Sequence, residues 1–96
     1  MNETRIKRLK PEIKKNGYVY ILITRNDEYC IYAQKDNGII VAYEVFRTKY
    51  SSPHPKMLED VQNYDLVESF PSDEEFGKRA WTYKTLKEAE LAFASK

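Results

Sequence analysis

A chain of 96 residues with a formal net charge of +1 has the length of one domain and is too short for a deep cleft between two. Charged residues at 32% and hydrophobic ones at 42% describe a folded, soluble chain. No apolar run approaches the roughly 20 residues of a membrane helix, and no signal-peptide core follows the basic N-terminus. A lone cysteine, Cys30, excludes an internal disulfide framework and makes the cytoplasm the expected setting.

Residues 1–16 hold six basic side chains (Arg5, Lys7, Arg8, Lys10, Lys14, Lys15) against Glu3 and Glu12, a local +4. Ile6, Leu9 and Ile13 have helical spacing, but Pro11 interrupts the stripe because it has no amide hydrogen to donate. This reads as a loosely ordered basic N-terminal arm, with one turn beginning at Pro11, ahead of a single α+β domain over residues 17–96. Asn16-Gly17 punctuates the start of the sheet.

Strands are expected over residues 18–24, 29–35 and 39–50, separated by the polar turn 25–28 and by Asp36-Asn37-Gly38. Asn-Gly tolerates the positive φ angles of a type I′ hairpin, so Asp36 should face Ile39. Extending that register places Tyr32 opposite Tyr43 and Cys30 opposite Val45. A second two-residue loop at Asn26-Asp27 would place Ile21 opposite Tyr32 and Ile23 opposite Cys30. One face then collects Val19, Ile21, Ile23, Cys30, Tyr32, Val41, Tyr43 and Val45. The other collects Tyr20, Leu22, Tyr29, Ile31, Ala33, Ile40, Ala42 and Phe46, with Glu44 among them. Both faces are apolar, whereas a sheet with one wet face alternates apolar with polar.

Residues 51–55 read as a loop, and Met57, Leu58 and Val61 in the segment 56–63 share a helix face in a stretch too short to settle its form. Residues 64–70 alternate like a short edge strand, which Pro71 ends. Ser72 and Glu75 have the spacing of a capping box, and Gly77 suits a left-handed exit from one turn. Residues 79–84 form a strand carrying Trp81 and Tyr83. Thr85 and Glu88 make a second capping box, opening a helix over 86–94 whose Leu86, Ala89, Leu91, Ala92 and Phe93 form an apolar side. The expected fold is α+β: an antiparallel meander of three to four strands with the C-terminal helix packed on one face.

The run FPSDEEFGKRAWTYKTLKEAELAF, with YEVFR before it, resembles small uncharacterised proteins from bacteriophages and mobile elements of Bacteroidetes-type bacteria. The resemblance spans about a third of the chain and implies no activity, cofactor or site residue. It implies an origin in phage or mobile DNA, where small proteins often act by binding another protein.

Catalytic chemistry finds little footing, and the chain is read as no enzyme. Nucleophilic catalysis needs a Cys or Ser near a base. Cys30 lies in mid-strand and the only histidine, His54, sits between two prolines. One Cys and one His rule out a structural zinc site, and Asp73, Glu74 and Glu75 lack the spaced oxygens of a calcium loop. The glycine turns match no phosphate-binding loop, so no cofactor or metal is expected. Glu44 is the one charged residue in an apolar stripe. It is either a buried acid with a functional role or an acid at an open edge paired with Lys35 or Arg25.

Protein binding accounts for the two-sided apolar sheet most economically. One helix covers one face, and an uncovered apolar face marks an interface with a partner protein or a second copy of the chain. The interface candidates are Tyr20, Leu22, Tyr29, Ile31, Phe46 and Trp81. Residues 57–77 carry seven acids and no base. They are complementary to the basic arm and could also face a basic partner. The alternative is a nucleic-acid-binding protein using Arg5, Lys7, Arg8, Lys10, Lys14, Lys15, Arg47 and Lys49 with an aromatic sheet face. A sequence pI of 7.8 and the lack of an RNP-like motif weigh against it.

Overall fold

In chain order the strands are β1 (Ile6–Lys7), β2 (Glu12–Lys15), β3 (Tyr18–Arg25), β4 (Tyr29–Asp36), β5 (Ile39–Arg47), β6 (Lys49–Ser51), β7 (Leu66–Ser69) and β8 (Ala80–Tyr83), followed by helix α1 (Leu86–Ala94). This is a computed structural model, and it describes residues 5–53 and 64–96. The expectations for His54 and for residues 56–63 lie outside the described residues. The fold is α+β, with more strands than the meander expected from sequence. It divides into two units, Met1–Leu9 with Thr48–Phe70 and Lys10–Arg47 with Pro71–Lys96.

The larger unit is an antiparallel sheet in the order β2-β3-β4-β5-β8. Asn37 and Gly38 both take positive φ, 51° and 81°, which is the type I′ geometry their sequence favours. Asn16 and Gly17 take the same angles, 55° and 82°, so the second Asn-Gly is also a hairpin turn. It pairs Glu12–Lys15 with β3 from Lys15 opposite Tyr18 to Glu12 opposite Ile21. The basic arm is therefore partly an edge strand. Proline has no amide to offer a ladder, yet Pro11 sits before β2, where its carbonyl accepts the Leu22 amide at 2.8 Å.

The register departs from the expected one by a residue at each hairpin. The first loop holds three residues: the Asn26 side chain accepts the amides of Glu28 and Tyr29, both at 2.8 Å. Leu22 then lies opposite Tyr32, and a bulge leaves Ile23 out of the pairing before Thr24 meets Ile31. In the second hairpin Asp36 does face Ile39, but a bulge leaves out Val41, so Tyr32 faces Glu44 and Cys30 faces Phe46. A one-residue slip turns every side chain of a strand to the other face. β4 is thus inverted relative to both neighbours. Ile31 and Ala33 join Val19, Ile21, Tyr43 and Val45, while Cys30 and Tyr32 join Tyr20, Leu22, Glu44 and Phe46.

Helix α1 closes the first of these faces. The Thr85 hydroxyl accepts the Glu88 amide at 3.2 Å, satisfying a donor the first turn leaves open. Ala89 then packs on Ile31 and Val45, all three at 0% exposure, with Tyr43, Tyr83, Ala92 and Phe93 around them. On the other face Tyr32 and Phe46 are sealed and stacked, with centroids 5.6 Å apart and planes 14° from parallel. The Tyr32 hydroxyl donates to the Lys10 carbonyl at 2.7 Å, so this buried phenol keeps a partner.

The smaller unit is a three-stranded sheet in the order β1-β7-β6, with β1 parallel and β6 antiparallel to β7. The strand expected at an edge is therefore central. The long third strand ends at Arg47, and Lys49–Ser51 pairs here instead. The basic and acidic segments do meet. The Asp65 side chain accepts the Arg5 amide at 2.8 Å, and buried Glu68 accepts the Arg8 guanidinium at 3.2 Å and the Leu9 amide at 2.9 Å.

Candidate functional site

Alternation within Tyr43-Glu44-Val45-Phe46 sends Glu44 to the face opposite α1. Its strand is hydrogen-bonded on both sides at this point, to Tyr32 of β4 and Thr82 of β8, so the backbone beneath the carboxylate is held rigidly. The expected open-edge position beside Lys35 is not found, since Lys35 lies opposite Ile40. Glu44 is only 4% exposed.

What it borders is a groove of about 480 Å³ across β3, β4, β5 and β8. Tyr20, Gln34, Glu44 and Thr82 form the floor and near rim, one from each strand. Tyr18 and the Asn16 turn make one wall and Phe76 contributes to the lining. The Tyr18 and Tyr20 rings meet edge to face at 6.4 Å, and the Gln34 amide donates to the Tyr20 hydroxyl at 3.2 Å. Among the described residues lining it, Glu44 is the one acidic residue and none is basic. The arrangement offers one carboxylate, aromatic faces, an amide and a hydroxyl. It supplies no thiol or imidazole, and Cys30 is sealed at 0% within β4. No group of three or more His, Cys, Asp or Glu side chains that could hold a metal occurs among the described residues. No described helix is long and apolar enough to cross a membrane.

The six interface candidates do not form one surface. Tyr20 is on the groove floor and Leu22 is half-buried on the same face. Phe46 is sealed on that face, and Ile31 is sealed on the opposite face under α1, so both are core. The β4 inversion is the reason. Tyr29 and Trp81 lie on the helix side, half-buried, and the Lys96 ammonium stands 3.7 Å from the Trp81 ring centre. The eight nucleic-acid candidates divide between the units. Arg5, Lys7, Arg8 and Lys49 belong to the smaller one, where Arg5 and Lys7 flank the Tyr64 ring and Arg8 pairs with Glu68. In the larger unit Lys15 donates to the Pro71 carbonyl at 2.7 Å, Lys14 lies opposite Val19, Lys10 holds the Tyr32 hydroxyl by its carbonyl, and Arg47 is exposed at the end of β5.

Two further features are built from charge and apolar surface. Arg79 holds Glu75, four residues before it in the chain, and its guanidinium also donates to the Arg47 carbonyl. The hydrogen bond from Arg79, with those from Ser72, lowers the Glu75 carboxyl to about 2. This pair fastens the 3₁₀ turn Asp73–Glu75 to the end of β5. Separately, β8 pairs only with Tyr43–Phe46, which leaves the first half of β5 with an edge bearing exposed Ile39, Ile40 and Val41.

Sequence reasoning found Glu44 as an acid in an apolar stripe, and Tyr20. It missed Tyr18, Gln34, Phe76 and Thr82. Thr82 had a readable signal: a lone polar residue between Trp81 and Tyr83 turns away from their face. Compared with known proteins, the chain matches no family model, no curated protein and no solved structure, so function rests on this geometry.

Proposed function

We propose that the protein is a small, non-catalytic, cytoplasmic binding protein that docks a partner protein in the groove over Glu44. The observation carrying this reading is a nearly buried carboxylate on a rigid strand, facing an open groove whose walls are aromatic. Aromatic side chains around a desolvated polar group are the composition of binding hot spots. The groove holds no acid–base or nucleophile pair among its described residues, which favours binding over catalysis. The resemblance of residues 43–47 and 70–93 to phage and mobile-element proteins supports an accessory role on a host protein.

A photocrosslinking residue in place of exposed Thr82 tests this, with the outer helix position Leu91 as control. A discrete polypeptide adduct from Thr82 and not from Leu91 is expected. Absence of an adduct, or equal trapping from both, overturns it. A homodimer is a second version, favoured by the apolar edge of β5, where Ile39 is 68% exposed. Light scattering that shows a dimer for the native chain and a monomer for Ile39→Lys supports that version. Nucleic-acid binding has less support, because Arg8 and Lys15 are engaged within the fold. A gel shift at low salt that fades steeply with added salt would restore it.

A further inference from the structure

We infer that one face of the three-stranded sheet β1-β7-β6 binds single-stranded nucleic acid, as a second surface independent of the groove over Glu44. The sorting of charge is the first reason. Lys7 lies beside Val67, Val67 beside Ser51, and Lys49 beside Ser69, and paired residues point to the same side of a sheet. Arg5, two residues before Lys7, follows the same alternation, and its carbonyl accepts the Leu66 amide at 3.2 Å. Three cations therefore share one side with the hydroxyls of Ser51 and Ser69. Arg8 and Glu68 fall on the other side, where they pair at 3.2 Å. Among the described residues Arg5, Lys7 and Lys49 enter no ion pair. Asp65 directs a carboxylate oxygen to the Arg5 amide and offsets one of the three charges, which leaves a local +2.

The Tyr64 ring is the second reason. The Arg5 guanidinium carbon stands 5.8 Å from its centre and the Lys7 ammonium 5.4 Å. Contact with the ring limits the rotamers of two long side chains, so less freedom is lost when they meet a phosphate. The ring and the guanidinium plane are also surfaces on which bases stack, a contact that an acidic polypeptide does not use. Arg5, Lys49 and Ser51 are exposed, and Lys7 and Tyr64 are half-buried. Hydroxyls such as those of Ser51 and Ser69 donate to phosphate oxygens. Lys7 and Lys49 stand on the two outer strands, roughly 12 Å apart at the backbone. A face of that width accepts one strand laid across it, whereas reading a duplex takes a helix or ribbon in the major groove.

The test titrates the full chain with a fluorescent oligothymidylate of about 12 nucleotides, within the site sizes of single-strand binders. Binding at low salt is expected, and three phosphate contacts should give log K a slope of about −2 against log salt. Lys49→Ala, at an exposed position, should weaken binding and flatten that slope by about 0.7, and Lys7→Ala should do the same. Tyr64→Leu should weaken binding about fivefold or more through lost stacking, with the slope unchanged. Lys87→Ala removes the same charge from an exposed position of α1 and should change neither. A readout that needs no variant is NMR of the native chain, in which the oligonucleotide should shift the amides of Lys7, Lys49 and Ser51. The inference is overturned by no binding at low salt, by unmoved amides at those three residues, or by a slope that survives both lysine substitutions. An effect of Lys87→Ala equal to theirs overturns it too, since net charge alone would then explain binding. Displacement by octa-glutamate as readily as by unlabelled oligothymidylate assigns the face to an acidic polypeptide instead, and duplex binding of equal strength removes the single-strand assignment. Trapping at Thr82 judges the groove separately, so either surface can fail alone.

Discussion

On one face of the five-stranded sheet Ala89 of α1 rests on Ile31 and Val45, and all three are sealed from solvent. On the other face Glu44 and Tyr20 are set almost as deeply, yet they border an open groove. The same strands build both faces. The difference lies in what is laid over them. A helix with alanine at its contact point comes close to the sheet and excludes water along its length. The opposite face is sealed at Tyr32 and Phe46, but between Tyr20 and Thr82 it carries polar groups over an open concavity. A sheet this small therefore packs one face under a helix and leaves part of the other as an open groove lined by polar and aromatic side chains.

Substitutions separate the two faces by size of effect. Ile31→Ala removes a side chain at 0% exposure under α1 and should cost about 2–5 kcal/mol in chemical denaturation. A cost below about 1 kcal/mol would mean that the helix does not seal this face. Across the sheet, Tyr32→Phe leaves the ring stack with Phe46 and removes the donor to the Lys10 carbonyl, for about 1 kcal/mol. Thr82→Ala, on the groove rim, should change stability by no more than about 0.5 kcal/mol. A loss above 2 kcal/mol there would show a packed surface instead of an open groove.

The smallest effect concerns pH. The Glu75 carboxyl is lowered from 4.5 to about 2 by its bond to Arg79. Its contribution is thus complete above 4.5 and is lost as pH falls from there toward 2. A carboxyl NMR titration should give a midpoint near 2 in the native chain and a clearly higher one in Arg79→Ala, where the Ser72 hydrogen bonds remain. Equal midpoints would dissociate the pair from the shift.

Two Asn-Gly dipeptides show what was legible. Both adopt the same left-handed pair of angles, but only Asn37-Gly38 stood between two runs rich in β-formers. Asn16-Gly17 follows Glu12-Ile13-Lys14-Lys15, whose lysines and preceding proline read as an arm. The strand there is made by its partner β3, because pairing to an existing edge compensates for weak intrinsic preference. Glu44 was legible because it breaks an apolar stripe. Thr82 had a local signal that went unread, and Tyr18, Gln34 and Phe76 had none, since the lining comes from segments far apart in the chain.

Sequence alone determined the α+β class, the capped C-terminal helix, the left-handed Asn37-Gly38 turn and the odd acid in the third long strand. Those are local properties, set within a few residues by backbone sterics, capping and side-chain period. Which face each residue occupies was decided only in three dimensions. The three-residue loop beginning at Asn26 and the bulges at Ile23 and Val41 shift the register by single residues, and a shift of one inverts a strand. That inversion placed Ile31 under the helix and put Tyr32 beside Glu44, so the groove exists through pairing between strands and not through any one of them.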